Sequence, residues 1–353
     1  MIYTDVLIIG GGFAGVSAAQ ALEKKGVATL LIDKKNYFEV TFATLRDISD
    51  PDYTDNKARK HYQQFLSGDF RQDSITELSH DHALLESGQK VTFKQAIIAS
   101  GSRYPSLSAA KSHSAFDLDS RNKELLKYNQ QLKMAREVLI IGGGLVGVEL
   151  AGEIGYSFPE KNITLAHNSS ALLEGFKSKA QKKALEQLTA LGVKVQFNSR
   201  FQREGEQYID QNSEEISSAD VVLEALGTLP NSEFMKKHLA DTLDEKNYVI
   251  VDQNLAVKRH DNLYALGDVA NVGEAKLGYL AQQQGRYVAK SIIKKLNKKH
   301  IKQYKRNPLM ALIPTGQKTG VVQLPFAVTT MQALVNMKQK DLFINKMYKA
   351  FKS

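Results

Sequence analysis

Two glycine-rich segments carry the residue types and the spacing that hold the phosphates of a dinucleotide. Residues 5–22 read DVLIIGGGFAGVSAAQAL, and residues 137–152 read EVLIIGGGLVGVELAG. In each segment an apolar run ends in G-x-G-x-x-G and a helical pattern follows, so backbone N–H groups and a helix N-terminus can meet a pyrophosphate. The candidate phosphate-binding residues are Gly10, Gly12, Phe13, Ala14 and Gly15 in the first segment, and Gly142, Gly144 and Gly147 in the second.

A single segment of this kind can be a turn that serves packing alone. Two in one chain favour two bound dinucleotides, and an enzyme that holds two dinucleotides passes electrons between them. The 353 residues include no cysteine, so no disulfide or thiol pair can relay those electrons. The second cofactor must therefore pass them directly to the acceptor.

The strands that follow the two segments end differently. Asp33 ends the apolar run ATLLID, 18 positions after Gly15, where a dinucleotide fold places the carboxylate that accepts hydrogen bonds from ribose hydroxyls. The corresponding run NITLAH ends in His167. An acid there would repel the 2′-phosphate of NADPH and an adjacent arginine would favour it, so the sequence leaves both nicotinamide nucleotides open.

Two further acids occupy positions suited to a cofactor. Glu149 lies two residues after Gly147, early in the predicted helix, where it can face the nicotinamide or be a solvated helix acid. Asp268 follows the apolar run NLYALG and precedes a predicted helix that opens at Gly278. The N-terminus of that helix would stabilise negative charge on a reduced cofactor.

The charge of the chain is unevenly distributed. The net charge is +9, yet residues 286–353 alone contain 15 Lys or Arg against one acid, Asp341, which implies a local anionic partner. Within this region Phe343, Met347 and Phe351 recur at i, i+4 and i+8 among lysines. They predict a helix that either lies on an anionic membrane surface or packs on the last domain with its lysines solvated.

Other features of the sequence limit the cellular location of the protein and the number of its domains. The sequence has no apolar run of about 18 residues, no signal-peptide pattern at its start, and Ile2 where N-myristoylation needs glycine. We therefore expect a cytoplasmic protein of two or three domains, peripheral on the cytosolic face of a membrane if it binds one. Residues 35–46 predict a polar helical stretch that ends at Arg46.

Eight motifs together carry a resemblance that covers nearly the whole chain: GGGFAG, D-x-K-x-Y-F-E, GGGLVGVELAGEI, ITLAH, NLYALGD, LGYLAQ, GVVQLP and K-x-K-D-L-F. The chain resembles the ferroptosis-suppressor branch of the apoptosis-inducing-factor-like flavoproteins, within the pyridine nucleotide-disulfide oxidoreductase superfamily. It resembles the type II NADH dehydrogenases more distantly. The likeness implies an α/β fold with two Rossmann-type dinucleotide-binding domains, for FAD and NAD(P), and a small α+β C-terminal domain.

The resemblance also implies domain bounds and roles. Residues 1–112 and 247–300 would form the FAD-binding domain, 113–246 the NAD(P)-binding domain, and 301–353 a C-terminal domain with a basic amphipathic tail. FAD would lie on the first glycine segment with Asp33 and Asp268, and NAD(P)H on the second. The residues that act in catalysis would be Glu149, Lys338 and Phe343, the last two near the entrance for a quinone. The remaining cofactor-binding candidates are Lys34, Lys35, Arg46, Ala99, Ser100, Gly101, His167, Gly227, Gly267, Leu280 and Ala281.

The sequence thus predicts an FAD-dependent NAD(P)H:quinone oxidoreductase, with no metal site and with the oligomeric state, including a homodimer, left open. Two alternatives remain. A reductase of ferredoxin or rubredoxin would suit the basic C-terminal region, since such partners are acidic. An apoptosis-inducing-factor-like signalling flavoprotein is the other, although lysines without interleaved aromatic residues argue against nucleic-acid binding.

Overall fold

The computed structural model describes residues 2–54 and 57–352. Within these residues the helices are α1 (Phe13–Glu23), α2 (Thr41–Asp47), α3 (Leu118–Met134), α4 (Leu145–Ser157), α5 (Ser178–Ala190), α6 (Gly278–Leu296), α7 (Gln332–Gln339) and α8 (Ile344–Lys352). The strands are β1 (Ile2–Ile9), β2 (Thr29–Asp33), β3 (Tyr37–Glu39), β4 (Arg59–His61), β5 (Asp69–Gln72), β6 (Ile75–Leu78), β7 (His82–Leu85), β8 (Lys90–Ile98), β9 (Ser102–Arg103), β10 (Glu137–Ile141), β11 (Asn162–Ala166), β12 (Lys194–Gln196), β13 (Phe201–Glu204), β14 (Gln207–Asp210), β15 (Val221–Glu224), β16 (Leu229–Pro230), β17 (Val249–Ile250), β18 (Leu263–Ala265), β19 (Ala270–Asn271), β20 (Ala311–Pro314), β21 (Gly320–Gln323) and β22 (Val328–Thr329).

The first sheet is discontinuous in sequence. Its strands run in the order β5-β2-β1-β8-β7-β6, and β18 returns from far along the chain to pair with β8 in parallel. The apolar run of β1 lies between β2 and β8, buried on both faces as expected of a central parallel strand. Helices α1 and α6 pack together closely because Gly285 has no side chain: a Cβ there would lie 2.3 Å from the Ala14 carbonyl oxygen.

The second sheet is a separate parallel unit. Strands β12, β11, β10 and β15 are neighbours in that order, and helices α4 and α5 contact them. The two sheets, each built from a glycine-rich strand–turn–helix, confirm the predicted α/β class with two Rossmann-type units. Each unit has its own cluster of buried apolar side chains.

The predicted domain bounds stay a prediction. One stretch of the range predicted for the second unit contacts the first unit instead. Residues 229–246 were assigned to the second unit, yet β16 pairs with β9, and Met235 and Leu239 lie in the apolar core of the first unit. The chain therefore returns to the first unit near Thr228. The predicted helical stretch 35–46 is wrong at its start, since β3 pairs with β4 and the helix begins only at Thr41.

The C-terminal segment divides between the two units. Strands β20, β21 and β22 form an antiparallel sheet that packs with α7 against α4 and α5. Helix α8 instead packs on the first unit, where the Phe351 ring lies 5.0 Å from that of Phe38 and 5.4 Å from that of Phe65, between centroids. Met347 and Phe351 are buried. The apolar face predicted to meet either a membrane or the last domain thus contacts the first unit.

Candidate active site

The glycines of the first segment each meet a different constraint. Gly10 has φ +100°, and a Cβ on it would lie 2.4 Å from the Ala99 carbonyl oxygen. A Cβ on Gly15 would lie 1.9 Å from the Gly10 carbonyl oxygen, so this glycine lets α1 pack against β1. At Gly12, no heavy atom of the described residues beyond its chain neighbours lies within 4 Å of the Cβ position. The open side of Gly12 is a place for a ligand to approach the backbone.

The second segment repeats these constraints. Gly142 has φ +111° and its Cβ position lies 2.4 Å from the Ala225 carbonyl oxygen, while that of Gly147 lies 1.8 Å from the Gly142 carbonyl oxygen. The Cβ position of Gly144 is open, since the part of the chain that the structure describes places no heavy atom beyond its chain neighbours within 4 Å of it. Because α1 and α4 begin directly after Gly12 and Gly144 and receive no side-chain cap, their first N–H groups are oriented for a pyrophosphate. The two segments therefore fit two dinucleotides.

The carboxylate of Asp33 closes the first turn. It accepts hydrogen bonds from the Gly11 N–H at 2.6 Å and the Lys35 N–H at 2.8 Å. The Tyr62 hydroxyl donates to the Gly11 carbonyl oxygen at 2.9 Å. Asp33 lines a cleft of about 430 Å³ between the two units, and its role as a ribose-binding acid stays a prediction.

Asp268 also lines the cleft, and it has partners that the sequence did not reveal. Its Oδ2 accepts from the Lys111 ammonium at 2.6 Å and from the Ser102 hydroxyl at 2.8 Å. Burial alone raises the pKa of the Asp268 carboxyl, but Lys111 and the hydrogen bonds outweigh it and leave that pKa below its usual value. No spacing rule signals Lys111, since 157 residues separate it from Asp268.

Many of the predicted residues meet in this cleft. Those that line it are Gly10, Gly12, Phe13, Ala14, Asp33, Lys34, Lys35, Ala99, Ser100, Gly101, Glu149, Gly267, Asp268, Ala281, Lys338 and Phe343. The lining also includes Tyr62, Tyr104, Lys111 and Lys276, which sequence reasoning missed. Helix α6 begins at Gly278 on the cleft wall, so its N-terminus is placed to stabilise negative charge there.

Two predicted cofactor-binding side chains lie away from the cleft. Leu280 is 1% exposed and does not line the cleft. Arg46, also 1% exposed, uses its guanidinium elsewhere: Nε and Nη2 donate to the two carboxylate oxygens of Glu153 at 2.9 and 2.7 Å. Nη2 also donates to the side-chain oxygen of Gln339, and the guanidinium lies 4.5 Å from the centroid of the Tyr53 ring. Arg46 thus joins α2, α4 and α7.

A buried ion pair between Lys338 and Glu149 forms part of the cleft wall. Lys338 Nζ lies 3.2 Å from Glu149 Oε1 and donates to the Leu312 carbonyl oxygen at 3.0 Å. Burial raises the pKa of Glu149, and Lys338 offsets only part of that effect. Phe343, at φ +57°, lies between α7 and α8 and also lines the cleft. The backbone conformation of Phe343 is unusual for a residue with a side chain, and such positions recur at functional sites.

The outer part of the second nucleotide site lies away from this cleft. Gly142, Gly144, Gly147, His167 and Gly227 do not line it, although Leu145, Val146 and Thr228 beside them do. His167 is buried, and its Nδ1 accepts a hydrogen bond from the Gly143 N–H at 3.1 Å. Glu149 connects this second site to the cleft, because α4 begins at the glycine turn and carries Glu149 to the cleft wall.

Comparison with known proteins agrees with this arrangement. Residues 4–285 match the family described as pyridine nucleotide-disulphide oxidoreductase. Ferroptosis suppressor protein 1 of Xenopus tropicalis is 30% identical over 358 residues, 98% of this chain and 95% of that protein. Apoptosis-inducing factor homolog A of Dictyostelium discoideum is 29% identical over 374 residues, 97% of this chain and 90% of that protein. The structure of NDH2 from Plasmodium falciparum in complex with NADH is similar in fold, with a TM-score of 0.78 and 16% identity over 99% of this chain and 96% of that one.

Proposed function

The chain belongs to the pyridine nucleotide-disulphide oxidoreductases, and we propose that within this family it reduces a quinone with electrons that NAD(P)H delivers through FAD. It is an FAD-dependent NAD(P)H oxidoreductase, and its relatives include proteins named ferroptosis suppressor protein 1. The absence of cysteine from the sequence excludes a thiol relay to the acceptor. The acceptor must then approach the flavin itself.

The observation that carries the quinone proposal is the set of side chains that line the cleft together with Lys338. It combines a buried cation, Lys338, with apolar side chains, which are those of Phe42, Met310, Leu312, Phe343 and Met347. Such a wall suits a flat apolar molecule that carries oxygens at its rim. Lys338 supports this assignment further because its ammonium lies 5.4 Å from the centroid of the Phe42 ring, within the apolar surface.

The residues of the chain position and stabilise the reactants. FAD, held by the first glycine segment together with Asp33 and Asp268, would supply the two-electron chemistry that connects NAD(P)H to the acceptor. A quinone that gains two electrons and two protons becomes a hydroquinone, one proton coming with the hydride and one from solvent. Lys338 would stabilise the negative charge that develops on the quinone oxygen, and the helix α6 N-terminus the charge on the reduced flavin. Glu149 holds the ammonium of Lys338 in place.

A steady-state comparison tests the proposal. Purified protein is expected to carry FAD, to lose its flavin absorbance anaerobically with NADH or NADPH, and to turn over with menadione and a short-chain ubiquinone. Ferricyanide serves as an acceptor that needs no quinone site. A protein that oxidises NAD(P)H with ferricyanide but with neither quinone, and reduces ferredoxin in a salt-sensitive reaction, would contradict the quinone assignment.

Substitution of Lys338 tests the role of the ammonium. Lys338→Met is expected to lower kcat/KM for menadione by about 10²-fold or more, the range seen when one charge-stabilising donor is removed. Reduction of the flavin by NADH, measured by stopped flow, should change much less. Lys340→Met is the matched control, because Lys340 lies two residues further on and is exposed. Equal loss in both half-reactions would refute this role.

We also propose a contact with an anionic membrane surface, through which a lipid-soluble quinone would arrive. In the described residues no helix combines the length and the apolarity that crossing a membrane requires. The β21–β22 turn supports a surface contact, since Phe326 is 98% exposed and Leu324 in the same turn is exposed; Met331, which follows β22, is exposed as well. The surplus of lysines in residues 286–353 supports attraction to anionic lipid.

Vesicle sedimentation tests the membrane contact. Phosphatidylcholine vesicles that contain phosphatidylglycerol should bind the protein more strongly than vesicles of phosphatidylcholine alone. Phe326→Asp should weaken that binding with no change in menadione turnover in solution. Binding that is insensitive to this substitution would remove the β21–β22 turn from the proposal.

A further inference from the structure

Two buried ion pairs join helix α4 to other elements one helical turn apart. Glu149 Oε1 lies 3.2 Å from Lys338 Nζ, and Glu153 accepts hydrogen bonds of 2.9 and 2.7 Å from Arg46. Of these four side chains, only those of Glu149 and Lys338 line the cleft. The two pairs meet at the end of α7, because Lys338 is followed directly by Gln339, the last residue of that helix.

The side chain of Gln339 is 6% exposed and uses both ends of its carboxamide. Nε2 donates to the carbonyl oxygens of Gly316 at 2.6 Å and of Thr319 at 2.7 Å, both between β20 and β21. Oε1 accepts a hydrogen bond from Nη2 of Arg46. Because both N–H groups and the oxygen have partners, the carboxamide is held in one orientation.

The backbone carbonyl of Gln339 is held as well. It lies at the C-terminus of α7, where the carbonyl groups of a helix lack partners within the helix. Nη1 of Arg46 donates to it at 3.4 Å, and the Tyr53 hydroxyl also donates to it. The guanidinium also places a positive charge where the helix dipole favours a cation. Arg46 thus holds the end of α7 through both the side chain and the backbone of one residue.

The contacts of Arg46 constrain the distance between α4 and α7 more closely than the contact of Lys338 does. A planar guanidinium that makes two hydrogen bonds to one carboxylate has little freedom of orientation. A lysine ammonium is a point charge on a flexible four-carbon stem, so it adapts to the position of its backbone. The location of the Lys338 ammonium therefore depends on how the end of α7 is fixed.

We propose that Gln339 is a positioning residue, which holds Lys338 where its ammonium meets Glu149 and faces the cleft. This inference rests on the proposed function in that Lys338 serves the acceptor. Gln339 itself does not line the cleft, so it acts through its neighbour. Because Gln339 is uncharged, its substitution leaves every charge of the two ion pairs in place and reports on position alone.

The first test measures the position of Lys338 without any turnover. Brief acetylation of the FAD-loaded protein with acetic anhydride, followed by peptide mass spectrometry, gives the extent of reaction at Lys338 relative to exposed Lys340. Native Lys338 is 6% exposed and paired, so it should react at least about tenfold more slowly than Lys340. Gln339→Met should raise this ratio about fivefold or more, because the released ammonium reaches solvent more often.

The matched control is Gln332→Met. It makes the same substitution at the other end of α7, where the side chain is exposed, and it should keep the native labelling ratio.

The second test asks whether Gln339 acts through Lys338. Gln339→Met should lower kcat with menadione about tenfold, because a displaced charge no longer meets the reacting oxygen. FAD content and flavin reduction by NADH should change less than about twofold, because the nicotinamide site is not displaced. In a Lys338→Met background the same substitution should have no further effect on kcat, since no ammonium is left to position.

Unchanged labelling of Lys338 in Gln339→Met would overturn the proposal, and so would an equal loss of kcat in the native and Lys338→Met backgrounds. If Gln339→Met yields no folded protein with FAD, Tyr53→Phe replaces it, since this change removes one donor to the Gln339 carbonyl and keeps the carboxamide. A higher labelling ratio in Tyr53→Phe then supports the proposal and an unchanged ratio overturns it. If Lys338→Met alone leaves menadione turnover unchanged, the proposed role of Lys338 fails, whereas the labelling ratio still decides whether Gln339 positions it.

Discussion

The buried ion pair between Arg46 and Glu153 gives the sharpest prediction about stability. The two side chains are 1% and 3% exposed, and two hydrogen bonds of 2.9 and 2.7 Å join them. Arg46→Met leaves the Glu153 carboxylate buried without its cation, and Glu153→Met leaves the guanidinium without its anion. Each change is expected to lower the free energy of unfolding by about 3–5 kcal/mol.

The double variant separates the ion pair from simple packing. When both partners become methionine no uncompensated charge remains, so the double variant should lose less stability than either single variant. Unfolding in guanidinium chloride, followed by far-UV circular dichroism, measures the change in the free energy of unfolding for each of the three variants. The three changes form a double-mutant cycle. A loss in the double variant equal to the sum of the two single losses would refute the reasoning, since it would show that the charges do not interact.

A surface pair supplies the control for that cycle. Lys183 and Glu186 lie 2.7 Å apart on α5 with side chains 41% and 45% exposed. Lys183→Met should cost under about 1 kcal/mol, because solvent already screens this pair.

Three further predictions follow from the same structure. Gly12→Ala should leave the fold intact and reduce FAD content, since a Cβ at Gly12 meets no atom of the described residues beyond its chain neighbours. Gly10→Ala should prevent folding, because Gly10 has φ +100° and a Cβ there would lie 2.4 Å from the Ala99 carbonyl oxygen. Flavin absorbance and circular dichroism of both variants distinguish the two outcomes. The pKa of Asp268 is lowered in the folded state. Its carboxylate therefore adds stability at pH above the ordinary aspartate pKa, and this contribution is lost as the pH falls through the lower pKa of the folded state. The difference in unfolding midpoint between the native protein and Asp268→Asn should disappear below about pH 4. Phe351→Ala should cost about 3–5 kcal/mol because its ring packs on Phe38 and Phe65, and a loss under 1 kcal/mol would show that α8 does not stay docked.

Local sequence was sufficient to predict the two nucleotide-binding turns. A glycine at φ near +100° and a glycine packed against a carbonyl oxygen are requirements of the backbone within about ten residues, so spacing alone reveals them. The same holds for the apolar runs of the parallel strands and for the helix that begins at Gly278. The start of the 35–46 stretch was wrong because β3 exists only by pairing with β4, which lies about 20 residues further on.

The partners of the charged residues depended on the tertiary structure. Lys338 meets Glu149 across 189 residues and Arg46 meets Glu153 across 107, and no periodicity links positions so far apart. The resemblance implies a cofactor-binding role for Arg46, yet packing of α2 against α4 brings its guanidinium to the Glu153 carboxylate instead. The amphipathic pattern of α8 likewise predicted an apolar face, and only the fold determined which surface covers it.

The sequence by itself therefore determined that this protein holds two dinucleotides and has no thiol relay, since turn geometry and composition are local properties of the chain. The tertiary structure decided which distant charges neutralise one another and which apolar side chains line the cleft. The physical reason is that burial of a charge is stable only with a partner, and packing of distant elements alone determines where that partner lies.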